Sequence, residues 1–202
     1  MVARLPLLAL VGALAFAAHP AAAQLASGSP SYQFLDAVKN DKAQDVEKML
    51  AKPGSRIINT QDVSTGETAL HIVVKRDDEK YLSYLLGKGA DPNIKDNAGN
   101  TPLMVAVDRG LNDLIPLLLR GKANPNITGE GGQTLLIRAV LRHDEEMVRT
   151  LADAGADPDR RDYVGKSARD YANGDPRYPG MIRLFAELKA VPKRGVSGPV
   201  LR

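Results

Sequence analysis

The chain repeats itself at one constant interval, and this period limits the fold more than any other feature of the sequence. Gly66, Gly99, Gly132 and Gly165 are evenly spaced, and a Thr or Ser follows two positions after each of them. Self-similarity at a fixed interval of roughly 20 to 50 residues is typical of architectures that stack one structural unit on the next. The period therefore favours a solenoid over a single globular core.

Local signals within each unit predict two helices. The hydroxyl residues after the glycines can cap a helix N-terminus, because their oxygen accepts a bond from an unpaired backbone N–H. A second segment is apolar at positions i, i+3 and i+4, as in Leu82, Leu85 and Leu86, which predicts a helix with one buried stripe. Gly89 and Gly155 follow this stripe and are typical of helix C-termini. The predicted order is helix, turn, helix, long turn.

The unit resembles the ankyrin repeat, whose signature is Thr-Pro-Leu-His-x-Ala at a period of about 33 residues. The motif stands here as Thr68–Val73, Thr101–Ala106 and Thr134–Ala139, and Gly89–Asn93 matches the repeat's Gly-Ala-Asp-x-Asn tail. The resemblance implies an all-α solenoid of about five helix-turn-helix units, with capping first and last repeats. The expected domain is 31–190, and its units are about 31–61, 62–94, 95–127, 128–160 and 161–190.

Several positions depart from the ankyrin pattern. The motif histidine occurs only as His71, and we expect the polar link between adjacent turns to be missing where Met104, Ile137 and Asp170 replace it. The first unit is weaker and carries about three extra residues between positions 52 and 62.

One helix carries two further departures. Pro116 lies about a turn into the second helix of the third unit, and it is expected to remove one backbone bond or kink that helix. Lys122 stands where a helix-ending glycine is expected, and Gly121 comes one place earlier. We therefore expect this helix to stop a residue sooner than its counterparts.

Residues 1–23 have the order of a secretory signal. Arg4 precedes an apolar run from Leu5 to Ala18, and Ala21–Ala23 form a small-residue cleavage site. We expect cleavage after Ala23, a periplasmic or secreted location, and no membrane insertion afterwards. The alternative is an N-terminal membrane anchor, but the apolar run is shorter than the roughly 20 residues that a spanning helix needs. Residues 24–30 are expected to form a flexible linker and 191–202 a disordered tail.

Composition removes much chemistry. The absence of cysteine excludes disulfides, thiol nucleophiles and zinc-thiolate sites. The 27 basic and 24 acidic residues are interleaved, which argues against a nucleic-acid partner. His71 is interpreted as structural and His143 as part of a helix start, and no catalytic sequence motif occurs. We expect no enzyme activity, no metal and no cofactor.

The resemblance implies partner contacts around the turn glycine and at the end of the first helix. Carried over by register, the expected partner-contacting residues are Ser64, Thr65, Glu67, Lys75, Arg76, Lys95, Asn97, Ala98, Asn100, Asp108, Arg109, Thr128, Glu130, Gln133, Arg142, Arg161, Tyr163, Val164 and Lys166. The alternative for each is an ordinary solvated turn residue. As a set they run from mixed charge to a basic C-terminal end, which suits an acidic or polar protein surface.

The predicted function is that of an exported, monomeric protein-binding module that uses its concave face, for example to protect or inhibit an envelope protein. An immunity-type inhibitor of a periplasmic toxin belongs to the same physical class. A hydrolytic enzyme and a structural spacer without a specific partner are the alternatives from other classes.

Overall fold

A computed structural model describes residues 28–52 and 56–188, and these residues form ten α-helices. The helices are α1 (Pro30–Lys39), α2 (Ala43–Leu50), α3 (Ala69–Lys75), α4 (Glu79–Gly87), α5 (Pro102–Arg109), α6 (Leu114–Arg120), α7 (Leu135–Leu141), α8 (Glu145–Asp153), α9 (Ala168–Asn173) and α10 (Pro179–Glu187). Two short 3-10 helices lie at Ile57–Asn59 and Glu130–Gly132. The predicted signal at 1–23 and the predicted tail at 191–202 lie outside the described residues.

The helices form two layers. We call the odd-numbered helices the inner helices and the even-numbered helices the outer helices. Within each unit an odd-numbered helix packs on the even-numbered helix that follows it, as α3 does on α4. Odd-numbered helices also pack on the odd-numbered helices of neighbouring units, and α4, α6, α8 and α10 do the same in the second layer. The predicted all-α solenoid of stacked units is confirmed.

The hydroxyl residues cap the inner helices as predicted. Thr101 Oγ1 accepts from the backbone N–H of Met104 at 3.4 Å, and Thr134 Oγ1 accepts from that of Ile137 at 3.2 Å. Ser167 Oγ makes the equivalent bond in the last unit. The glycines two positions earlier have φ between +71° and +81°, a backbone conformation that costs glycine little. The local chemistry of each unit start is therefore the same.

Burial follows the repeat register. Val73, Ala106, Ala139 and Ala172 of the inner helices, and Leu85, Leu118, Leu151 and Leu184 of the outer helices, are all buried. Small residues at the inner positions let neighbouring helices approach closely, and the leucines fill the space between the two layers. The core is consequently one continuous row of apolar side chains.

Truncating one of these leucines tests the register. We expect Leu118→Ala to lower the free energy of unfolding by about 2–5 kcal/mol, because it removes buried methyl groups and leaves a cavity. Leu141→Ala is the control, since the Leu141 side chain is 49% exposed. Urea unfolding followed by circular dichroism measures both. An equal effect of the two changes would contradict the assignment of Leu118 to the core.

Asparagine side chains join the units on the side of the outer helices. Asn93 Oδ1 accepts from the backbone N–H of Asn124 at 2.8 Å, and Asn93 Nδ2 donates to the carbonyl of Lys122 at 3.0 Å. Asn126 repeats both bonds with Asp157 and Gly155 of the next unit. One amide thus satisfies a donor and an acceptor across each of these unit interfaces.

The series ends at the junction with the last unit. Asp159 occupies the position that Asn126 has in the preceding unit, and the last unit, with α9 and α10, follows it. Its carboxylate instead accepts from Arg169 Nε at 2.7 Å. The same guanidinium donates to the carbonyls of Phe185 and Leu188 at the end of α10. Arg169 therefore ties the last unit, including the end of α10, to the unit before it.

The extra residues of the first repeat are divided between two places. The segment 41–59 is two positions longer than its counterpart 77–93 in the next unit. The turn 62–67 is one position longer than the equivalent turn 96–100. The insertion is therefore split between the end of the first unit and the following turn, whereas the sequence pattern placed all of it before position 62.

The first helix begins slightly earlier than predicted. Ser29 Oγ accepts from the backbone N–H of Tyr32 at 3.1 Å, and Pro30 is the first residue of α1. A proline is favourable there because an N–H at the first helical position would have no acceptor within the helix. Helix α1 thus starts one position before the predicted first unit at 31.

The expected effect of Pro116 is wrong. Helix α6 begins at Leu114, two positions later in its unit than α4 and α8 begin in theirs. Pro116 is therefore the third residue of the helix. A backbone N–H there has no acceptor within the helix, so its loss removes no bond. The proline shifts the helix start instead of interrupting the helix.

The expected early end of α6 is also wrong. This helix ends at Arg120, which is equivalent to the ends of α4 and α8 at Gly87 and Asp153. Lys122 takes φ +69°, in place of the glycines that have +88° at Gly89 and +87° at Gly155. A lysine therefore adopts the left-handed conformation that closes this helix, and it does so at a steric cost.

Replacing this lysine measures that cost. We expect Lys122→Gly to raise the free energy of unfolding by about 0.5–1 kcal/mol, since relief of the left-handed strain exceeds the entropy that glycine adds to the unfolded chain. Gly155→Lys is the converse change, and no atom lies within 4 Å of a Cβ added at Gly155, so only the backbone opposes it. The melting temperature should rise for Lys122→Gly and fall for Gly155→Lys. A loss of stability in Lys122→Gly would contradict this explanation.

Candidate functional site

The long turns between units fold back on themselves and form a row of hairpin tips. The backbone N–H of Asp62 donates to the carbonyl of Glu67 at 2.8 Å, and three later turns close in the same way. The later turns run from Asp96 to Asn100, from Gly129 to Gln133 and from Asp162 to Lys166. We name these four segments the turn tips. Their closed backbone holds the intervening side chains in fixed positions.

Hydrogen bonds connect neighbouring tips. The backbone N–H of Asn97 donates to the carbonyl of Thr65 at 2.9 Å, and Asn97 Nδ2 donates to the carbonyl of Ser64 at 3.0 Å. At the other end of the array the N–H of Tyr163 donates to the carbonyl of Gly131 at 3.0 Å. These bonds order the first tip against the second and the third tip against the fourth.

The first tip is also bonded to the first helix. The Asp62 carboxylate accepts from the hydroxyl and the N–H of Ser64, from the N–H of Thr65, and from Lys39 of α1. The Ser64 hydroxyl and the Lys39 ammonium hold the pKa of Asp62 well below its usual range. The charged carboxylate thus fixes the tip against α1 throughout the neutral pH range.

His71 joins the second and third units from inside the stack. Its Nδ1 accepts from the backbone N–H of Thr68 at 3.1 Å, so the proton of the neutral ring lies on Nε2. This Nε2 donates to the carbonyl of Asn100 in the next turn at 3.0 Å. Burial lowers the pKa of His71, and a proton added to Nδ1 would oppose the Thr68 N–H. The predicted structural role of His71 fits this geometry.

The residues that replace this histidine act locally. Met104 and Ile137 are buried, and neither side chain carries a group able to form the bond that His71 makes to the next turn. Asp170 accepts from the backbone N–H of Ser167 at 3.0 Å, so it completes a capping box within its own unit. The histidine link therefore belongs to the interface between the second and third units.

The buried histidine makes stability depend on pH. Because the folded chain holds His71 with a lowered pKa, the unfolded chain takes up a proton below about pH 6.5 that the folded chain does not. The free energy of unfolding should therefore fall as the pH drops from 7.5 to 5. We expect His71→Met, which copies the next unit, to reduce this fall, and the surface change His143→Gln to retain it. The midpoint of urea unfolding is measured at both pH values for the parent chain and the two variants. An equal fall in all three proteins would contradict the role of His71.

A model of the ankyrin repeat family, built on three copies of the repeat, matches residues 34–129 and 88–162. The chain belongs to the ankyrin repeat family. An ankyrin repeat protein of Acanthamoeba polyphaga mimivirus is 41% identical over 71 residues, which are 35% of this chain and 10% of that relative. The matched segment thus spans about a tenth of the relative's length. Ankyrin repeats generally mediate protein–protein interaction and are not generally enzymes.

The residues expected from the ankyrin pattern to contact a partner all lie at the protein surface. Those on the turn tips or beside them are mostly exposed, and Glu67, Asn100, Thr128 and Gln133 are half-buried. The exposed ones are Ser64, Thr65, Lys95, Asn97, Ala98, Glu130, Arg161, Tyr163, Val164 and Lys166. The ankyrin fold brings this subset together along one edge.

The arginines at the ends of the inner helices serve the stack itself. Arg76, Arg109 and Arg142 occupy equivalent positions in successive units, and each guanidinium donates to a backbone carbonyl of the preceding unit. The acceptors are the carbonyls of Val38, Lys75 and Asp108. These bonds give the three arginines a structural role, because their charge satisfies carbonyls at helix ends.

Two ion pairs occupy further residues of the expected set. Lys75 pairs with Glu67 in the same unit, and Asp108 pairs with Arg138 of the next unit. The side chain of Arg138 is only 14% exposed, and sequence reasoning did not include this residue. The sequence indicates a role for Arg138 only weakly, since this residue occupies a variable position inside the repeat motif. These pairs leave the tips as the more accessible part of the surface.

Apolar side chains stand exposed on the outermost tips. Val63 is 93% exposed on the first tip, and Tyr163 and Val164 are 88% and 77% exposed on the last. Sequence reasoning missed Val63, as well as Leu141, which occupies the register position of Lys75 and Asp108. Large apolar residues are therefore exposed at both ends of the row of tips.

A groove lies between α1 and the first tip. It has a volume of about 480 Å³, and its lining includes Tyr32, Leu35 and Lys39 of the helix together with Asp62 and Val63 of the tip. The sequence did not reveal this site because the first unit lacks the glycine and threonine signature that sets the register. The groove is a concave, mainly apolar surface of the size that binding sites commonly have.

Among residues 28–52 and 56–188, no group of three or more His, Asp or Glu side chains is placed to hold a metal ion. No helix in these same ranges combines the length and apolar character needed to cross a bilayer. His143 lies outside the tips and stacks on Tyr178, with ring centroids 3.5 Å apart.

Proposed function

We propose that this ankyrin domain binds a partner protein through the turn tips and the groove beside α1. The observation that carries the proposal is the exposure of Val63, Tyr163 and Val164 on tips whose backbone is already ordered. Exposed apolar side chains that lie together can mark an interaction site, and tyrosine is enriched among binding hot spots.

Preordering supports the same proposal. The tips are closed by their own hydrogen bonds and linked to their neighbours, so a partner does not need to order them on binding. Binding therefore loses less conformational entropy than it would with flexible loops. The inter-unit bonds of Arg76, Arg109 and Arg142 add rigidity at the opposite, C-terminal ends of the same inner helices.

The charge of the last tip suggests the chemistry of the partner. Arg160, Arg161 and Lys166 are exposed around Tyr163 and Val164. A partner surface with carboxylates around an apolar patch would complement this arrangement. An acidic or polar protein surface is therefore the proposed target, in agreement with the charge trend of the sequence.

Residues 1–23 support a location outside the cytoplasm. Their sequence of one arginine, an apolar run and small residues is that of a secretory signal. We propose a periplasmic or secreted protein that protects or inhibits an envelope protein by covering part of its surface. Inhibition of a toxin would use the same surface and the same physical act.

Substitutions on the tips test this function. The chain is used to capture its partner from an envelope extract after cross-linking, mass spectrometry identifies the partner, and calorimetry measures the dissociation constant. We expect Val63→Glu and Tyr163→Ala each to raise the dissociation constant about tenfold or more, as truncation of hot-spot residues does. Arg120→Glu on the outer helix α6 is the control with unchanged binding. Full affinity in both tip variants, or a loss only in the control, would overturn the proposed surface.

A further inference from the structure

A second groove lies at the opposite ends of the helices from the turn tips. Helix α3 begins just after the first tip and ends at Lys75, and the groove forms beyond that end, where the first two units pass from inner to outer helix. Its volume is about 380 Å³, and it is lined on one side by Asp41 and Glu47 and on the other by Asp78, Lys80, Tyr81 and Tyr84. This site is distinct from the surface proposed above.

Two tyrosine hydroxyls in this groove lack hydrogen-bond partners among the described residues. Tyr81 is 7% exposed and Tyr84 is half-buried, and both hydroxyl oxygens are almost inaccessible to solvent. Their rings lie 6.0 Å apart in a tilted arrangement. A buried hydroxyl without a partner opposes folding, and phenylalanine would fill the same space without that cost. The hydroxyls therefore point to a ligand rather than to packing.

The ionisable side chains that line the groove are mainly acidic. Asp78 is occupied, because one carboxylate oxygen accepts from the backbone N–H of Tyr81 and the other from Arg76 at 2.8 Å. Asp41 lies 3.4 Å from the same guanidinium, with its side chain 71% exposed. Glu47 has no ion-pair partner in the part of the chain that the structure describes. Among the described residues that line the groove, Lys80 is the one cation. Arg76 and Lys88 lie outside the lining, with their cationic groups 5.4 Å from the ring centroids of Tyr81 and Tyr84, respectively. The lining itself therefore carries net negative charge, with Glu47 as its unpaired carboxylate within the described ranges.

Tyr81 remains neutral beside these carboxylates. Burial, reinforced by the nearby Asp41, raises the pKa of Tyr81 to about 12. A neutral phenol hydroxyl can accept a hydrogen bond through its oxygen while it donates its own proton to another group. The groove is also much larger than the roughly 30 Å³ that a single water molecule occupies, so it has room for a small organic ligand.

We propose that this groove binds a primary alkylammonium group, carried either by a small diamine or by a lysine side chain. An ammonium group has three N–H donors. Two of them match the oxygens of Tyr81 and Tyr84, and the third matches a carboxylate of Asp41 or Glu47. Glu47 and Lys80 are exposed at the rim and must move aside for the ligand to reach the hydroxyls.

Titration of the whole chain tests the site and separates the two sources. Calorimetry and amide chemical shifts are recorded with 1,4-diaminobutane, with Nα-acetyl-lysine amide, and with sodium acetate as an anion of similar size. Saturable binding of either amine, with shifts at Tyr81 and Tyr84, is the expected result, and the amine that binds identifies the source. Absence of saturation by both amines at millimolar concentration, or equal binding of acetate, would overturn the proposal.

Matched variants assign the contacts. Tyr84→Phe and Glu47→Gln should each weaken amine binding about tenfold, the effect of losing one hydrogen bond to a charged group. Tyr32→Phe, which lies in the groove beside α1, is the control with unchanged amine binding. Unaltered affinity in both Tyr84→Phe and Glu47→Gln would reject these contacts.

Stability gives an independent readout. Without ligand, Tyr81→Phe and Tyr84→Phe should melt at the same temperature as the parent chain or higher, because each removes a hydroxyl without a partner. A lower melting temperature would mean that the hydroxyl serves the fold, and it would overturn its assignment to a ligand. Because these residues lie away from the turn tips, their variants keep partner capture, and failure here leaves the proposed protein-binding surface unaffected.

Discussion

The structure depends on the burial of apolar side chains between units that are each too thin to bury them alone. Leu118 is inaccessible to solvent because α4 and α8 pack on either side of its helix. Ala106 does the same for the inner layer, where its small side chain lets α3 and α7 approach α5. Stability in such a stack is a sum over neighbouring interfaces, and every unit needs the next one.

Polar bonds across these interfaces make the stacking specific. An apolar interface alone would tolerate sliding, whereas Asn93 and Asn126 each bond both a donor and an acceptor of the following unit. The inner-helix arginines bond backward to the preceding unit, and His71 adds one forward link from inside. Where the series of asparagines ends at Asp159, Arg169 supplies the missing partner, so the array closes without an unpaired carboxylate at that position.

Features that depend on local chemistry could be predicted from the sequence, whereas features that depend on contacts between units could not. The caps at Thr101 and Thr134, and the buried row that includes Leu118, follow from short-range patterns, which a single sequence displays. The role of Arg109 does not, because an exposed arginine at a helix end has the same local sequence whether it meets a partner or a carbonyl of the unit behind it. The groove beside α1 escaped for a related reason, since its unit lacks the glycine that sets the register.

The turn tips and the groove of Tyr81 and Tyr84 differ in the groups that they offer to a ligand. The turn tips present apolar side chains on a backbone that is already bonded, whereas the groove of Tyr81 and Tyr84 keeps buried hydroxyls that the fold does not use. Val63 and Tyr163 lie on the first and last turn tips, which the chain connects only through the units between them. A partner that contacts both residues would therefore bridge the two ends of this row. Such a contact adds a long-range tie to a structure built from neighbour contacts, so partner binding would stabilise every interface between those ends.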